Sequence, residues 1–270
     1  MTTRDFVRMK ERGEPIAVLT CYDHLFARIL DASSLDAVLV GDSLGEVALG
    51  YRSTLPVSLE EMIHHASAVR RGLEGPLLVV DLPFLSFQVS PEQAVRSGGR
   101  VLKESGAEAV KLEGGGKRVV ESVRRLTDAG IPVMGHLGLT PQSVHQFGGY
   151  GLRGTDPAEA DEMVERARAL DDAGCFSLVL EMVPEELAAR ITGEISIPTV
   201  GIGAGRRVDG QVLVLPDMLG LNEGFEPRFL RRFADLGERA RGAVDDFVDA
   251  VKSGGYPAEE ESYRGGGGEA

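Results

Sequence analysis

Short apolar runs alternate along this chain with longer stretches whose apolar positions recur every three or four residues. The runs predict eight strands, at 16–20, 37–41, 77–81, 108–112, 132–136, 177–181, 198–202 and 211–215. Between most of them the spacing predicts helices, such as 91–105 with Val95 and Leu102, and 157–173 with Met163, Ala167 and Leu170. Eight such units in 270 residues point to the α/β class and to a single (β/α)8 TIM barrel, whose strands all aim their carboxyl ends at one face. A doubly wound open sheet also puts ligands at strand carboxyl ends, but at a single switch point. Here the second to the sixth predicted strands all run out into chemistry: Asp42, Asp81, Lys111 with Glu113, His136 and Glu181. That spread favours the barrel.

In a strand alternate residues share a face, so Val38, Val40 and Asp42 are expected to point one way, Val79 with Asp81, and Lys111 with Glu113. With the valines filling the barrel, Asp42, Asp81, Glu113 and Glu181 would cap it around one lysine. Two like charges ~4 Å apart repel by ~4 kcal/mol at an effective dielectric of about 20, and one ammonium cannot offset several such pairs. The cluster therefore needs a divalent cation or strongly raised carboxyl pKa values. All-oxygen ligands with no Cys/His cluster point to Mg²⁺ or a similar hard ion, with Asp42 and Asp81 as ligands and Glu113 supporting them.

Composition narrows the class. No linker or composition shift divides the chain, so residues 1–258 are expected to form one catalytic domain, followed by a disordered tail at 259–270 containing Gly265 to Gly268. No apolar run approaches the ~20 residues of a membrane span, and the first 14 residues are too charged for a signal peptide. Cys21 and Cys175 suit neither a metal knuckle nor a disulfide framework and read as buried thiols of a soluble, cytoplasmic protein. A net charge of −13 without a basic stripe argues against a nucleic-acid partner. Only five of the 29 cationic side chains are Lys. An acidic, Lys-poor surface predicts that stability rises with added salt, which screens self-repulsion; equal denaturation midpoints in low and molar salt would contradict this.

Each charged residue also has a plainer reading. Asp42 and Ser43 could cap a short helix, Lys111 with Glu113 could be a structural ion pair, and His136 a hydrogen-bonded core residue. One active site explains them together, where the plainer readings must each hold separately on five strands. Gly201, Gly203 and Gly205 follow the seventh predicted strand, where this fold often cradles phosphate, but close backbone packing fits them equally well. Gly114 to Gly116 give the chain room to turn beside a ligand.

Longer segments carry a resemblance. Thr20-Cys21-Tyr22-Asp23, Val40-Gly41-Asp42-Ser43-Leu44-Gly45, Asp81-Leu82-Pro83-Phe84, Val110-Lys111-Leu112-Glu113-Gly114-Gly115, Gly135-His136-Leu137-Gly138-Leu139-Thr140-Pro141-Gln142 and Glu181-Met182-Val183-Pro184 resemble the ketopantoate hydroxymethyltransferase family. The match runs in order from about Thr3 to Tyr263, with departures at Cys21, Glu46, Arg52 and Pro216. The resemblance implies a TIM barrel with bound Mg²⁺ and methylene-tetrahydrofolate or a related reduced pterin as co-substrate. It implies one-carbon transfer to α-ketoisovalerate, giving ketopantoate for pantothenate and coenzyme A biosynthesis. Residue by residue it implies Asp42 and Asp81 as metal ligands with Glu113 in support, and Asp42, Ser43, Asp81 and Lys111 holding the keto acid. Glu181 becomes the general base, and His136 either orients it or binds the new hydroxymethyl group. A homo-oligomer, often a decamer, is also implied. The alternative is a Mg²⁺-dependent carbon–carbon lyase or mutase of the phosphoenolpyruvate mutase and isocitrate lyase type, which would need no pterin.

Overall fold

The structure is a computed structural model and describes residues 1–263. Its first elements are α1 (Thr3–Arg12), β1 (Ile16–Thr20), α2 (His24–Asp31), β2 (Ala37–Val40), α3 (Leu44–Val47) and α4 (Leu59–Arg70). They are followed by β3 (Leu77–Asp81), α5 (Pro91–Ser105), β4 (Ala109–Glu113), α6 (Lys117–Asp128), β5 (Val133–Gly138) and α7 (Val144–Phe147). Then come α8 (Pro157–Asp172), β6 (Ser177–Glu181), α9 (Glu185–Glu194), β7 (Thr199–Ile202), β8 (Gly210–Leu213), α10 (Leu215–Met218) and α11 (Leu236–Ser253). All eight strands pair in parallel in chain order, and β1 pairs with β8 through Ile16↔Gly210 and Val18↔Val212, so the sheet closes into a TIM barrel. An open sheet is ruled out by that last ladder.

Local chemistry sets the boundaries. Helix α5 starts where Ser90 accepts from the Gln93 N–H and Pro91 takes the first helical position, and it stops at Gly106 with φ 76°. The strands predicted to begin at Pro132 and Pro198 begin one residue later. Each proline lacks an N–H, so it offers only its carbonyl, which accepts from Val110 and Leu178 respectively. β4 runs on through Glu113, because the next residue, Gly114, still donates to the His136 carbonyl at 2.8 Å.

The inward face differs from the expected one on β2. Ala37 and Leu39 join Ile16, Val18, Leu77, Val79, Ala109, Met134, Val179, Val200 and Val212 in the barrel core. Leu39 stands opposite Val79 in the ladder, so Val38 and Val40 face the helices instead. Asp42 reaches the mouth because the strand ends at Val40 and the chain turns at Gly41, where a Cβ would stand 2.8 Å from the Ser43 hydroxyl.

At the opposite end α1 closes the barrel. Phe6 and Met9 join the same core, Phe6 fully buried and meeting Phe176 edge-on at 5.7 Å. Lys10 fastens the helix by donating to the carbonyls of Thr192 and Ile197 and to Asp209. Phe6→Ala is expected to cost about 3–5 kcal/mol of unfolding free energy, read by urea denaturation. A cost under ~1 kcal/mol would show that the end collapses onto the cavity or that the helix is dispensable.

The chain divides into two compact units, one of residues 1–215 with 227–230 and one of 216–226 with 231–270. Within the second, Phe233 donates to the Met218 carbonyl, Asn222 to Asp217, and Phe247 packs edge-on to Tyr256 at 5.5 Å. Glu259–Glu261 form a 3-10 turn, and the expected glycine tail, Gly265 to Gly268, lies outside the described residues. Among the described residues no helix is long and apolar enough to cross a membrane.

Candidate active site

The ladder register brings the charged side chains together. Asp81 lies opposite Lys111, Glu113 opposite His136, and Gly138 opposite Glu181. With Asp42 they form one cluster inside the barrel at its carboxyl end, where Asp42, Asp81, Lys111, Glu113 and His136 are all buried. The Glu181 side chain keeps 22% of its exposure and stands at the rim.

Lys111 Nζ is 2.7 Å from Asp81 Oδ1 and 3.3 Å from His136 Nδ1. His136 Nδ1 lies 3.5 Å from Glu113 Oε1, and its Nε2 lies 3.3 Å from Glu181 Oε2. The Asp42 backbone N–H donates to Asp81 Oδ2 at 3.0 Å. Burial is the largest influence on Asp42, Asp81, Lys111 and His136. It would discharge Lys111, but Asp81, Glu113 and Asp42 outweigh it and raise the lysine pKa. Burial and then Lys111 would push His136 down, yet the Glu113 and Glu181 carboxylates, 3.5 and 3.3 Å from its ring nitrogens, raise it to about 9. Asp42 is held well above the usual carboxylate range by burial, Asp81 and Glu113. Burial also raises Asp81, against the pull of Lys111.

The helix-cap reading of Asp42 and Ser43 finds little support. Ser43 occupies the N-cap of α3 but makes no side-chain cap, and its hydroxyl lies 2.9 Å from that of Tyr22. Asp42 accepts from a residue that sequence reasoning had quoted without assigning it a role. Gln142 Nε2 donates to Asp42 Oδ2 at 2.8 Å and to the Leu82 carbonyl at 3.0 Å, and its backbone N–H donates to Glu113 Oε2 at 3.0 Å. Gln88 holds it in turn by donating to its carbonyl oxygen at 2.8 Å. Tyr150 was also missed. Burial, then Glu46, Asp42, Glu181 and Glu113, raise its phenol pKa. Both residues sit in the loop region after β5, where no periodicity marks them.

The family model described as ketopantoate hydroxymethyltransferase matches residues 1–259. The chain belongs to the ketopantoate hydroxymethyltransferase family. Within that family, the 3-methyl-2-oxobutanoate hydroxymethyltransferase of Chlorobaculum parvum is 52% identical over 97% of this chain and 96% of its own. That of Syntrophus aciditrophicus is 52% identical over the same shares. Among solved structures, a phosphonopyruvate hydrolase in complex with oxalate and Mg²⁺ superposes with a TM-score of 0.62 at 12% identity, over 97% of this chain and 93% of that one. A 2,3-dimethylmalate lyase of the PEP mutase/isocitrate lyase superfamily gives 0.60 at 17%, over 97% and 91%. At such identities the likeness speaks for the barrel alone, so the lyase or mutase alternative rests on fold and the transferase family on the whole sequence.

The ketopantoate hydroxymethyltransferase fold here suits a hard divalent cation. Asp42 and Asp81 are buried side by side with raised pKa values, and an added positive charge would relieve both. Among the described residues no three His, Cys, Asp or Glu side chains form a ready cage. Glu113 is turned toward His136 and the Gln142 N–H, which suits support better than ligation, and Mg²⁺ commonly takes only one or two carboxylates. Because metal ligands must be deprotonated, Mg²⁺ binding is expected to release protons, more of them at lower pH. The raised carboxyl pKa values also mean that stability from these groups is present at low pH and lost as pH rises through the folded values. Calorimetry in buffers of different ionisation enthalpy reads the release, and a buffer-independent heat would contradict it.

The remaining sequence features have structural explanations. A Cβ on Gly203 would crowd Met182 and Phe229, and one on Gly205 the Glu185 side chain, so that loop is glycine-rich for close packing. Cys21 and Cys175 are free and buried, and burial pushes their thiols up to about 11 and about 12.

Proposed function

We propose that this protein transfers the methylene carbon of methylene-tetrahydrofolate to C3 of α-ketoisovalerate, giving ketopantoate for pantothenate and coenzyme A biosynthesis. The observation that carries the reading is the contact line Asp81, Lys111, His136, Glu181, which links buried carboxylates to a carboxylate at the rim. Family membership supplies the substrate class.

Asp42 and Asp81 would hold Mg²⁺ with Glu113 in support, and the ion, when bound, supplies Lewis-acid polarisation of the keto oxygen. Lys111 places a fixed ammonium beside the same oxygen, aimed by its ion pair to Asp81. Ser43, at the start of α3, offers its hydroxyl to the keto-acid carboxylate, with Tyr22 orienting it. Glu181 takes the C3 proton. His136, whose Nε2 lies 3.3 Å from Glu181 Oε2, would position that carboxylate. The C3 electron pair then forms a bond to the methylene carbon, both of whose bonds to pterin nitrogens break. Water supplies the oxygen of the new hydroxyl, and the three protons from C3 and water end on that oxygen and on the two nitrogens of the departing tetrahydrofolate.

The test is proton–deuterium exchange at C3 of α-ketoisovalerate, followed by NMR in D₂O with no pterin present, with and without Mg²⁺. Metal-dependent exchange is expected, and addition of methylene-tetrahydrofolate should then yield ketopantoate. Carbon–carbon cleavage without any pterin would favour a lyase.

A further inference from the structure

Gln142 stands where the carboxylates meet, yet it has no part in the chemistry proposed above. It belongs to a one-turn 3-10 helix, Pro141–Ser143, which Pro141 starts and the Ser143 N–H closes by donating to the Thr140 carbonyl at 2.8 Å. The residue is buried, and both polar atoms of its side chain are used. Nε2 donates to Asp42 Oδ2 and to the Leu82 carbonyl, Oε1 accepts from Gln88 Nε2, and the backbone N–H donates to Glu113 Oε2. One residue after β5 thus ties together groups at the ends of β2, β3 and β4.

The direction of these bonds is fixed at both ends. The Leu82 carbonyl can only accept, which aims the amino group of Gln142 at Leu82 and Asp42 and turns its oxygen to Gln88. Gln88 must then donate, and its own oxygen accepts from the Phe87 backbone N–H at 3.3 Å, which can only donate. The backbone behind this row is itself held. Leu82 donates to the Lys111 carbonyl at 2.9 Å, and Ser97 on α5 donates to the Ser86 carbonyl at 2.6 Å.

Neither amide carries charge. Asp81 is held by the Lys111 ammonium, which offsets its charge, whereas Asp42 forms no ion pair among the described residues. A neutral donor fixes where the Asp42 carboxylate lies and leaves its attraction for a cation intact; an arginine in the same place would compete for it. Mg²⁺ demands near-ideal octahedral ligands at about 2.0–2.1 Å, while Ca²⁺ accepts flexible ones at about 2.3–2.6 Å. A carboxylate that cannot swing therefore favours the smaller ion.

We propose that Gln142, held by Gln88, is a positioning residue that fixes Asp42 and makes the site prefer Mg²⁺ to a larger divalent cation. The assignment rests on the metal reading of the site given above. Its test is calorimetric titration of the full chain with Mg²⁺ and, separately, with Ca²⁺, in the unsubstituted protein, Gln142→Met, Gln88→Met and the double variant. Met keeps the length of the side chain and removes its amide hydrogen bonds. Gln142→Met is expected to lower Mg²⁺ affinity by about 10–100-fold and Ca²⁺ affinity by about threefold or less, so that the preference for Mg²⁺ narrows. Gln88→Met, two bonds removed from Asp42, is expected to act in the same direction by several-fold and to add nothing once Gln142 is Met. Unchanged Mg²⁺ affinity in Gln142→Met overturns the proposal, as does an equal fall for both ions, which a general loosening of the site would give. Additive effects of the two substitutions overturn the role of Gln88. Should Gln142→Met fail to fold, Gln88→Met, at a partly exposed position, carries the same test through the ratio of the two affinities. If the unsubstituted protein binds neither ion, the metal reading fails and the proposal with it; binding whose Mg²⁺ preference survives both substitutions fails the proposal alone.

Discussion

Glu181→Gln is expected to lower C3 proton exchange of α-ketoisovalerate by ~10²–10⁴-fold while leaving Mg²⁺ and keto-acid binding nearly intact. Gln fills the same space at the rim and can still meet His136, but it cannot accept a proton. Glu181 touches His136 and keeps 22% of its side-chain exposure, so the substitution leaves the buried Asp81–Lys111 pair undisturbed. Binding by calorimetry and exchange by NMR separate the two effects. Full exchange in the variant would move the role of base elsewhere, and loss of binding with loss of exchange would make Glu181 a substrate-holding group.

Asp81→Asn should produce the largest combined effect. Asp81 Oδ1 is 2.7 Å from Lys111 Nζ, and both side chains are about 5% exposed. Removing one partner of such a pair leaves a charge in a low-dielectric interior and typically costs ~3–5 kcal/mol. The lower end is expected, because Asp42 and Glu113 still act on the ammonium. Mg²⁺ affinity is expected to fall by ~100-fold or more, since loss of even an outer partner of a metal ligand costs 10–100-fold. Keto-acid affinity should fall with it, as Lys111 loses the carboxylate that aims it. Unfolding in urea and Mg²⁺ titration by calorimetry check the two terms, and unchanged metal affinity would exclude Asp81 as a ligand.

Much of this arrangement was legible in the sequence for one reason: the site hangs on strands. Asp81, Lys111, Glu113 and Glu181 follow from period-two alternation once the strand ends are placed, and closure of the barrel adds the geometry. Asp42 was placed at the mouth by faulty reasoning. Extending β2 one residue too far put Val38 and Val40 inside, whereas Asp42 arrives through the turn at Gly41. The contacts of His136 with Glu113 and Glu181 at its two ring nitrogens were not legible, because they are a matter of distance and not of spacing. Gln142 and Tyr150 lie in the connection after β5, where no periodicity marks them.

The order of the strands has a consequence for how the protein folds. Every ladder that carries a charged residue joins consecutive strands, and contacts among the charged residues on neighbouring strands are short in sequence: 25 residues from Lys111 to His136 and 39 from Asp42 to Asp81. Closing the barrel instead joins Ile16 to Gly210. Loop-closure entropy makes the long connection the costlier step, so the βα units bearing Asp81, Lys111, His136 and Glu181 are free to assemble while the ring is still open. The lysine and histidine are then sealed in by a last ladder, β8 on β1, that has only apolar and glycine side chains facing inward: Ile16, Val18, Gly210 and Val212. Slow closure would leave a half-built barrel with its ionic centre already formed, and hydrogen exchange during refolding should protect β3–β6 before β1 and β8.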